Sequence, residues 1–291
     1  MPVTFYHKKS VPDSFRAILD YKKYLSGNPN AFNDGLNLFL LPDIYFLEKN
    51  CEMPFFEKLR MRLNMPKWLK RADRILVFSS HVQNEVVKRY PNIKEKIDVV
   101  KFPIKEDLKP NDEDARDVVR YQHTMGNAYF LCSGPIHTAS NLFNLLKGFS
   151  IFKKKLGSNM KLVLYGSVGA YSTKFLAELE TYKYRDDVIL IEKLPQQDEN
   201  DLIASCYALV HPCRWDRFGL PVFNAMKLGV AVLVPSNSTH SEQAGMAGMY
   251  FDENNPAEIG EKLILIYRDE QMRDEMIGTG MVKMKGIQNE E

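Results

Sequence analysis

The sequence has few cysteines, and their spacing fits neither a metal cluster nor a disulfide framework. Its 291 residues include Cys51, Cys132, Cys206 and Cys213, none of which forms a CxxC pair. Paired cysteines are the usual signature of a structural metal site, and dense cysteines are typical of small secreted domains. We therefore expect no metal and a reducing compartment.

Long apolar runs and a strong charge bias are also absent. No run of about 18 apolar residues, the length that crosses a bilayer as a helix, occurs, and the opening residues MPVTFYHKKS lack the apolar core of a signal peptide. The formal net charge is only +2, so nucleic acid is not expected as a partner. We expect a cytoplasmic protein with at most peripheral contact at the inner membrane face.

One segment, residues 55–70 (FFEKLRMRLNMPKWLK), is both basic and aromatic. A helix of this composition can lie on an anionic membrane surface. Because Pro66 interrupts the helical pattern, the alternative, an amphipathic helix packed on the protein itself, is favoured.

The second half of the chain alternates apolar runs with segments of helical spacing. Strands are predicted over residues 129–133, 161–165, 188–191, 208–210, 231–234 and 249–251. Strands that alternate with helices indicate a parallel sheet covered on both faces. The predicted fold class is therefore α/β.

The chain length suits two domains. Residues 1–107 contain too few predicted strands for a complete doubly wound domain, so they are interpreted as a partial N-terminal domain. Residues 108–126 are charged and are expected to form a connection with one short helix. Residues 127–270 form a complete C-terminal domain, and the tail 271–291 is either a helix that crosses back or disordered.

Two glycine-bearing loops follow predicted strands, where parallel α/β sheets bind their ligands. The loops SGPIHTASN (133–141) and GSVGAYS (166–172) would let a ligand approach the backbone closely. Ser140 and Asn141 begin a predicted helix and could receive an anion there, although a plain helix cap is favoured for them.

Two further loops carry carboxylates. Residues 212–220 supply Asp216, which could accept hydrogen bonds from sugar hydroxyls, and residues 235–244 supply Glu242. Four such loops at one sheet edge indicate a nucleotide-type pocket.

The histidines offer no metal site. His7 and His81 have no ligand spacing with another candidate. His211, at a strand end, is expected to pack in the core rather than act as a base. His240, on a polar loop, is expected to be solvated.

Several longer matches resemble one known family, the family 4 (group 1) glycosyltransferases of GT-B architecture. The resemblance covers roughly residues 68–280. It rests on RADRI (71–75), KIDVV (96–100), NLFNLLKGF (141–149), FGLPV (218–222) and SEQAG (241–245). The stretches YKYRDDVILI and LIYRDEQMRDEMI resemble members from Bacteroidetes-type bacteria.

The resemblance implies two Rossmann-like domains facing across a cleft. It also implies transfer of a hexose, with retention, from a nucleotide sugar to a glycan or lipid-linked acceptor, with no metal or other cofactor. Fixed positive charge and a helix N-terminus would stabilise the leaving diphosphate. Asp216 and Asp43 are the implied catalytic residues. The implied donor-binding residues are Gly134, His137, Ser140, Asn141, Gly166, Ser167, Arg214, Phe218, Gly219, Leu220, Asn224 and Glu242.

The chain departs from the family pattern at several of these positions. Residues 138–141 (TASN) stand where the family has basic residues that hold the diphosphate. Asp216 and Asn224 replace two glutamates spaced eight residues apart, and Arg217 replaces a glycine. Arg217 or Arg214 could restore positive charge. Pro42 precedes Asp43 where the family has a histidine.

These departures leave two interpretations open. The chain is either an active transferase with an altered donor site or a non-catalytic relative that binds a nucleotide sugar or partners an active transferase. The N-terminal domain also looks shortened relative to the family, and we expect that a protein partner could complete its sheet.

Overall fold

The structure is a computed structural model that describes residues 4–7, 37–48, 53, 55–100, 108–136, 140–169, 172–213 and 219–289. The chain divides into two compact units. The first comprises Met1–Pro103 and Trp215–Phe218, and the second comprises Ile104–Arg214 and Gly219–Glu291. In the described part of the chain, no helix is sufficiently long and apolar to span a membrane.

The first unit contains a four-stranded sheet. Its strands are β1 (Thr4–His7), β2 (Asn37–Leu40), β3 (Arg74–Val77) and β4 (Ile97–Val99), paired in that order. The pairing of β1 with β2 is antiparallel, and the other two pairings are parallel. In the described part of this unit, two α-helices accompany the sheet, α1 (Phe55–Arg71) and α2 (Ser80–Arg89).

Helix α1 runs without a break through Pro66, so the predicted interruption is wrong. A proline inside a helix removes one backbone hydrogen bond at a cost of about 3 kcal/mol or more. Met61, Met65 and Leu69, on both sides of the proline, are buried in the core of the unit and offset that cost. The proline itself lies on the exposed side of the helix.

Helix α2 begins at a side-chain cap. The Ser79 hydroxyl accepts a hydrogen bond from the backbone N–H of Val82.

The second unit contains a six-stranded sheet in which every pairing is parallel. The strands are β5 (Tyr129–Ser133), β6 (Lys161–Tyr165), β7 (Val188–Ile191), β8 (Ala208–Val210), β9 (Ala231–Pro235) and β10 (Gly248–Phe251). Their spatial order is β10-β9-β8-β5-β6-β7. This arrangement confirms the predicted parallel α/β sheet.

Helices cover both faces of this sheet. They are α3 (Glu113–Thr124), α4 (Leu142–Leu156), α5 (Thr173–Glu180), α6 (Gln196–Ala204), α7 (Leu220–Lys227), α8 (Thr239–Ala244), α9 (Pro256–Arg268) and α10 (Glu270–Asn289). Along β5, Phe130 and Cys132 belong to the core beneath α4, α5 and α9, whereas Tyr129 and Leu131 belong to the core beneath α6 and α7. Burial on both faces explains why the strands are apolar without interruption.

The segments flanking the sheet are part of this unit. The expected short helix of residues 108–126 is α3, capped by Asp112, and its Val119 packs in the same core as Leu108. The tail is helical. Met276 of α10 packs against one core and Met284 is buried in the other, so this helix crosses between the two faces.

Candidate functional site

Four loops leave the carboxyl edge of the second sheet side by side. They follow β9, β8, β5 and β6, which are consecutive neighbours in the sheet. Because all six strands are parallel, these loops emerge at one edge, where open α/β sheets bind their ligands.

The loops after β5 and β6 are in direct contact through two glycines. Gly166 has φ of 150°, and a Cβ there would lie 1.9 Å from the carbonyl oxygen of Gly134. The N–H of Ile136 donates to the carbonyl of Ser167 at 3.0 Å, and the hydroxyl of Ser172 donates to the carbonyl of Ile136. The two turns therefore form one unit, and the side chain of Ser167 is exposed beside it.

Asn141 joins three loops instead of capping a helix. It occupies the cap position of α4 with φ of 58°, yet its side chain makes no capping hydrogen bond. Its amide donates to the carbonyls of Pro212 at 3.2 Å and Glu253 at 2.8 Å. Asn141 therefore occupies the predicted cap position, but its side chain bonds neighbouring loops and does not cap the helix.

The side chain of Ser140 also makes its hydrogen bond within the protein. It is buried, and its hydroxyl donates to the carbonyl of Pro135 within the same loop. Neither Ser140 nor Asn141 replaces the positive charge that the family has in this segment.

Two buried histidines meet beneath the loops. The rings of His211 and His240 are 4.3 Å apart in an edge-to-face arrangement. A Cβ on Gly134 would lie 3.5 Å from Cε1 of His211. His211 is 4% exposed, as predicted. His240 is fully buried, so its predicted solvation is wrong, because helix α8 packs over the ends of β9 and β10.

The third and fourth loops are joined at Gly219. This residue precedes α7 with φ of 64°, and an added Cβ would lie 1.6 Å from Oε1 of Gln243 on α8. Leu220 and Asn224 of α7 are half-buried, and Glu242 of α8 is exposed. Helix α8 is held by a capping box between Ser238 and Ser241. Gly219, Leu220, Asn224 and Glu242 therefore lie on neighbouring elements.

Sequence reasoning did not identify Lys283 as part of this region. Its Nζ lies 3.4 Å from the carbonyl oxygen of Glu242. Burial lowers the pKa of Lys283, and the Glu242 carboxylate partly opposes that shift. The polar, methionine-rich tail carries no motif that would have placed this lysine at the sheet edge.

For the other predicted site residues, the structure either gives no description or places them in the first unit. His137, Arg214, Asp216, Arg217 and Phe218 lie outside the described residues. Asp43 follows β2 in the first unit, where its carboxylate accepts a hydrogen bond from the N–H of Tyr45 at 3.0 Å.

The three cysteines that the structure describes do not have the character of nucleophiles. Cys132, Cys206 and Cys213 are buried. Burial raises the pKa of Cys132 to about 12 and also raises that of Cys206. Within the described ranges, no three His, Cys, Asp or Glu side chains are grouped to hold a metal ion.

The profile of the family described as glycosyl transferases group 1 matches residues 115–281, more than half of the chain. The chain belongs to this family. The match includes the four loops and most of helix α10.

Two curated relatives of this group 1 glycosyltransferase act on O-antigen chains by name. O-antigen chain mannosyltransferase B of Escherichia coli is 23% identical over 283 residues, which is 92% of this chain and 72% of that protein. O-antigen chain mannosyltransferase RfbU of Salmonella typhimurium strain LT2 is 21% identical over 201 residues, covering 69% of this chain and 53% of that protein.

Solved structures show the same fold. WaaG, a glycosyltransferase involved in lipopolysaccharide biosynthesis, matches with a TM-score of 0.70 and 18% identity over 86% of this chain and 71% of WaaG. HepE of Anabaena, in complex with UDP and glucose, matches with a TM-score of 0.69 and 16% identity over 86% of this chain and 66% of HepE. The predicted GT-B fold with Rossmann-like domains is thereby confirmed.

Proposed function

We propose that this group 1 glycosyltransferase transfers a hexose from a nucleotide sugar to a glycan or lipid-linked acceptor, with retention of configuration and without a metal. One observation carries the proposal. The loops after β5, β6, β8 and β9 are interlocked at a single sheet edge by Gly134 with Gly166, Asn141 with Pro212, and Gly219 with Gln243. This edge is the position at which α/β sheets bind nucleotides.

The residues at this edge suit different parts of a nucleotide sugar. The glycine turns at Gly134 and Gly166 leave backbone accessible to the diphosphate. The first N–H groups of α7, near Leu220, present a positive helix end to the leaving group. Asn224 and Glu242 can bond sugar hydroxyls, with Glu242 forming the stronger, charge-assisted bonds.

The donor sugar and the biosynthetic pathway of the proposed reaction are inferred from the relatives. Both curated relatives are named O-antigen chain mannosyltransferases, and HepE was solved with UDP and glucose. We therefore favour a role in polysaccharide biosynthesis and take mannose and glucose as the first donor sugars to test.

The alternative, a non-catalytic nucleotide-sugar binder, is favoured by the loop 138–141. Ser140 and Asn141 are neutral and already bonded to backbone carbonyls. Two lost charge-assisted bonds, each worth about 1.5–3 kcal/mol, would raise the barrier by about 3–6 kcal/mol. That corresponds to a rate lower by roughly a hundredfold to tens of thousands of times.

Donor turnover separates these functions. The purified chain is incubated with GDP-mannose or UDP-glucose, and nucleotide release and nucleotide binding are both measured. Nucleotide release supports the transferase. Nucleotide binding without release supports the non-catalytic alternative, and the absence of both contradicts the assignment of the site.

Asn224→Glu tests the placement of the donor. A carboxylate should strengthen a bond to a sugar hydroxyl, so we expect donor affinity to rise about five- to tenfold. Gln271→Glu, which adds the same charge at an exposed position of α10, should leave affinity unchanged. Ser140→Lys is a poorer test because it would bury a charge.

Peripheral membrane contact through α1 is part of the proposal. Phe56 is 83% exposed and Leu63 is 65% exposed on the side of the helix away from the core. Arg60, Lys67 and Lys70 are exposed on the same side, so that residues 56, 60, 63, 67 and 70 follow one another at spacings of four and three. Apolar and basic side chains together favour an anionic bilayer, where a lipid-linked acceptor would be found.

A further inference from the structure

A cavity lies at the edge of the second sheet opposite the four loops. It has a volume of about 290 Å³, and its lining includes Ala128, Tyr207 and Gly229. Ala128 directly precedes β5, Tyr207 directly precedes β8, and Gly229 lies just before β9, so the cavity is at the amino ends of the strands. It is therefore separate from the loops of the proposed donor site.

Three arginines line this cavity. Arg116 and Arg120 come from α3, and Arg273 comes from α10. Their side chains are 30%, 19% and 22% exposed, respectively. The Nε atom of each is buried and has no hydrogen-bond partner among the residues that the structure describes. Buried donors without partners are rare in folded proteins, and such groups are often satisfied by a bound water or ion.

Acidic side chains neutralise only the outer parts of these guanidinium groups. A carboxylate oxygen of Glu113 lies 3.7 Å from Nη1 of Arg116, and the other lies 2.9 Å from Nη1 of Arg120. A carboxylate oxygen of Asp117 lies 3.1 Å from Nη1 of Arg120, and one of Asp274 lies 3.4 Å from Nη2 of Arg273. All three acids are about two-thirds exposed. These ion pairs use Nη1 of Arg116 and Arg120 and Nη2 of Arg273, so the other terminal nitrogen of each guanidinium group is not part of them.

Tyr207 holds one of the arginines in place. The guanidinium carbon of Arg273 lies 4.2 Å from the centre of the Tyr207 ring, and the Tyr207 hydroxyl donates to the carbonyl of Ile266 at 3.2 Å. A guanidinium stacked on a fixed ring has a set orientation, which favours binding of planar or tetrahedral oxyanions.

We propose that this cavity binds a small phosphate-bearing anion. Arginine presents paired donors that match phosphate oxygens, and charge assistance makes these bonds strong. The cavity size suits a phosphate group with a small substituent. Phosphate oxygens would bind the terminal guanidinium nitrogens that lie outside these ion pairs, and Glu113, which also lines the cavity, would rotate away to admit the ligand.

Arginine Nε–Hε signals in ¹⁵N NMR spectra of the full chain test this proposal directly. Inorganic phosphate and pyrophosphate are titrated in the presence of saturating UDP, which occupies the proposed donor site. We expect saturable shifts of the Arg116, Arg120 and Arg273 signals, with sodium chloride of matched ionic strength producing none. Signals that do not move, or that move equally with chloride, would overturn the proposal.

Matched variants provide a second test of phosphate binding in the cavity. Arg116→Gln combined with Arg273→Gln should weaken phosphate binding at least about tenfold. Lys154→Gln combined with Lys155→Gln removes the same charge from the exposed end of α4 and should leave binding unchanged. If the arginine pair proves unstable, Arg116→Lys keeps the charge without the fork and should still weaken binding. Equal binding by all variants would contradict the site.

Vesicles identify the source of the phosphate. Phosphatidylglycerol vesicles that compete with inorganic phosphate for the Arg273 signal would indicate a lipid headgroup. Vesicles that leave the phosphate shifts unchanged would indicate a free phosphate compound.

Discussion

Gly166 shows how a single residue shapes the donor edge. Its φ of 150° is one that side-chain-bearing residues rarely adopt, and the carbonyl of Gly134 occupies the place of a Cβ. The loops after β5 and β6 can approach one another because Gly166 lacks a side chain. The sequence predicted that these glycines would expose backbone to a ligand, whereas their contact with each other became visible only in the structure.

Gly166→Ala should destabilise the second unit and weaken nucleotide binding. The added methyl group overlaps a backbone carbonyl and cannot be relieved by moving a flexible side chain, so we expect a loss of about 2–4 kcal/mol in the free energy of unfolding. Urea denaturation measures the change. Gly169→Ala in the same loop is the control, because a Cβ there would meet no atom of the described residues within 4 Å, so stability should be nearly unchanged. Equal effects of the two substitutions would contradict the geometry.

Asp187 links two lysines at the opposite end of β6. Its carboxylate lies 2.9 Å from Nζ of Lys153, which is only 7% exposed, and 2.7 Å from Nζ of Lys161. Burial alone would raise the pKa of Asp187, but the hydrogen bonds from Lys161 and Lys153 outweigh it and hold the pKa below the ordinary value of 3.8. A lowered folded-state pKa adds stability above the unfolded-state pKa, and this stability is lost as the pH falls through the folded-state pKa.

Asp187→Asn should therefore destabilise the protein at neutral pH by about 2–3 kcal/mol, because Lys153 keeps a buried charge with no carboxylate. The difference from wild type should shrink below about pH 4, where the wild-type carboxyl group also becomes neutral. Thermal denaturation between acidic and neutral pH measures it. Asp186→Asn, at the exposed neighbour, should change little, and a pH-independent difference for Asp187→Asn would contradict the ion-pair explanation.

At the scale of elements, α1 has one buried face and one exposed face, and each has a distinct role. Met61, Met65 and Leu69 pack in the core of the first unit, as the favoured sequence interpretation required. The other face exposes Phe56 and Leu63 together with basic residues, as the membrane alternative required. The two interpretations were treated as alternatives because Pro66 was expected to divide the helix, but a continuous helix satisfies both.

Leu63→Glu should reduce binding of the protein to phosphatidylglycerol vesicles. The change removes roughly 1.5–3 kcal/mol of apolar burial and adds a repelled charge, so we expect at least about tenfold weaker binding. Vesicle co-sedimentation measures it. Val282→Glu on α10, where Val282 is 71% exposed, is the matched control and should bind as the wild type does. Identical binding by both variants would argue against α1 as the contact.

At the scale of the whole molecule, the second unit has a complete architecture of its own. Its sheet is covered on both faces, and α10 reaches both cores through Met276 and Met284. Gly280 and Met281 of the same helix pack near Met226 and Gly229, so α10 also supports the turn after α7.

Residues 108–291 should consequently fold alone and retain nucleotide binding. We expect a single cooperative urea transition and nucleotide affinity within about threefold of the full chain, because both cores are retained. Residues 108–269, which lack α10, should be markedly less stable, since Met284 no longer packs against α7 and β9. A fragment 108–291 without a cooperative transition would show that the second unit depends on the first.

The sequence by itself determined the elements of this protein and the edge at which its site lies. The bounds of β5, β6, β7 and β8 were predicted from periodicity alone, because burial on both faces of a parallel sheet leaves uninterrupted apolar runs between amphipathic helices. The order of strand, loop and helix also placed the candidate loops at carboxyl ends.

Only the tertiary structure decided which residues meet. Asn141 bonds carbonyls 71 and 112 residues away, His240 is buried against His211, and Lys283 reaches the carbonyl of Glu242. The same is true of the three arginines from α3 and α10 that share one cavity. Periodicity reports only on neighbours along the chain, whereas these contacts depend on how the strands are ordered and how the helices cross them.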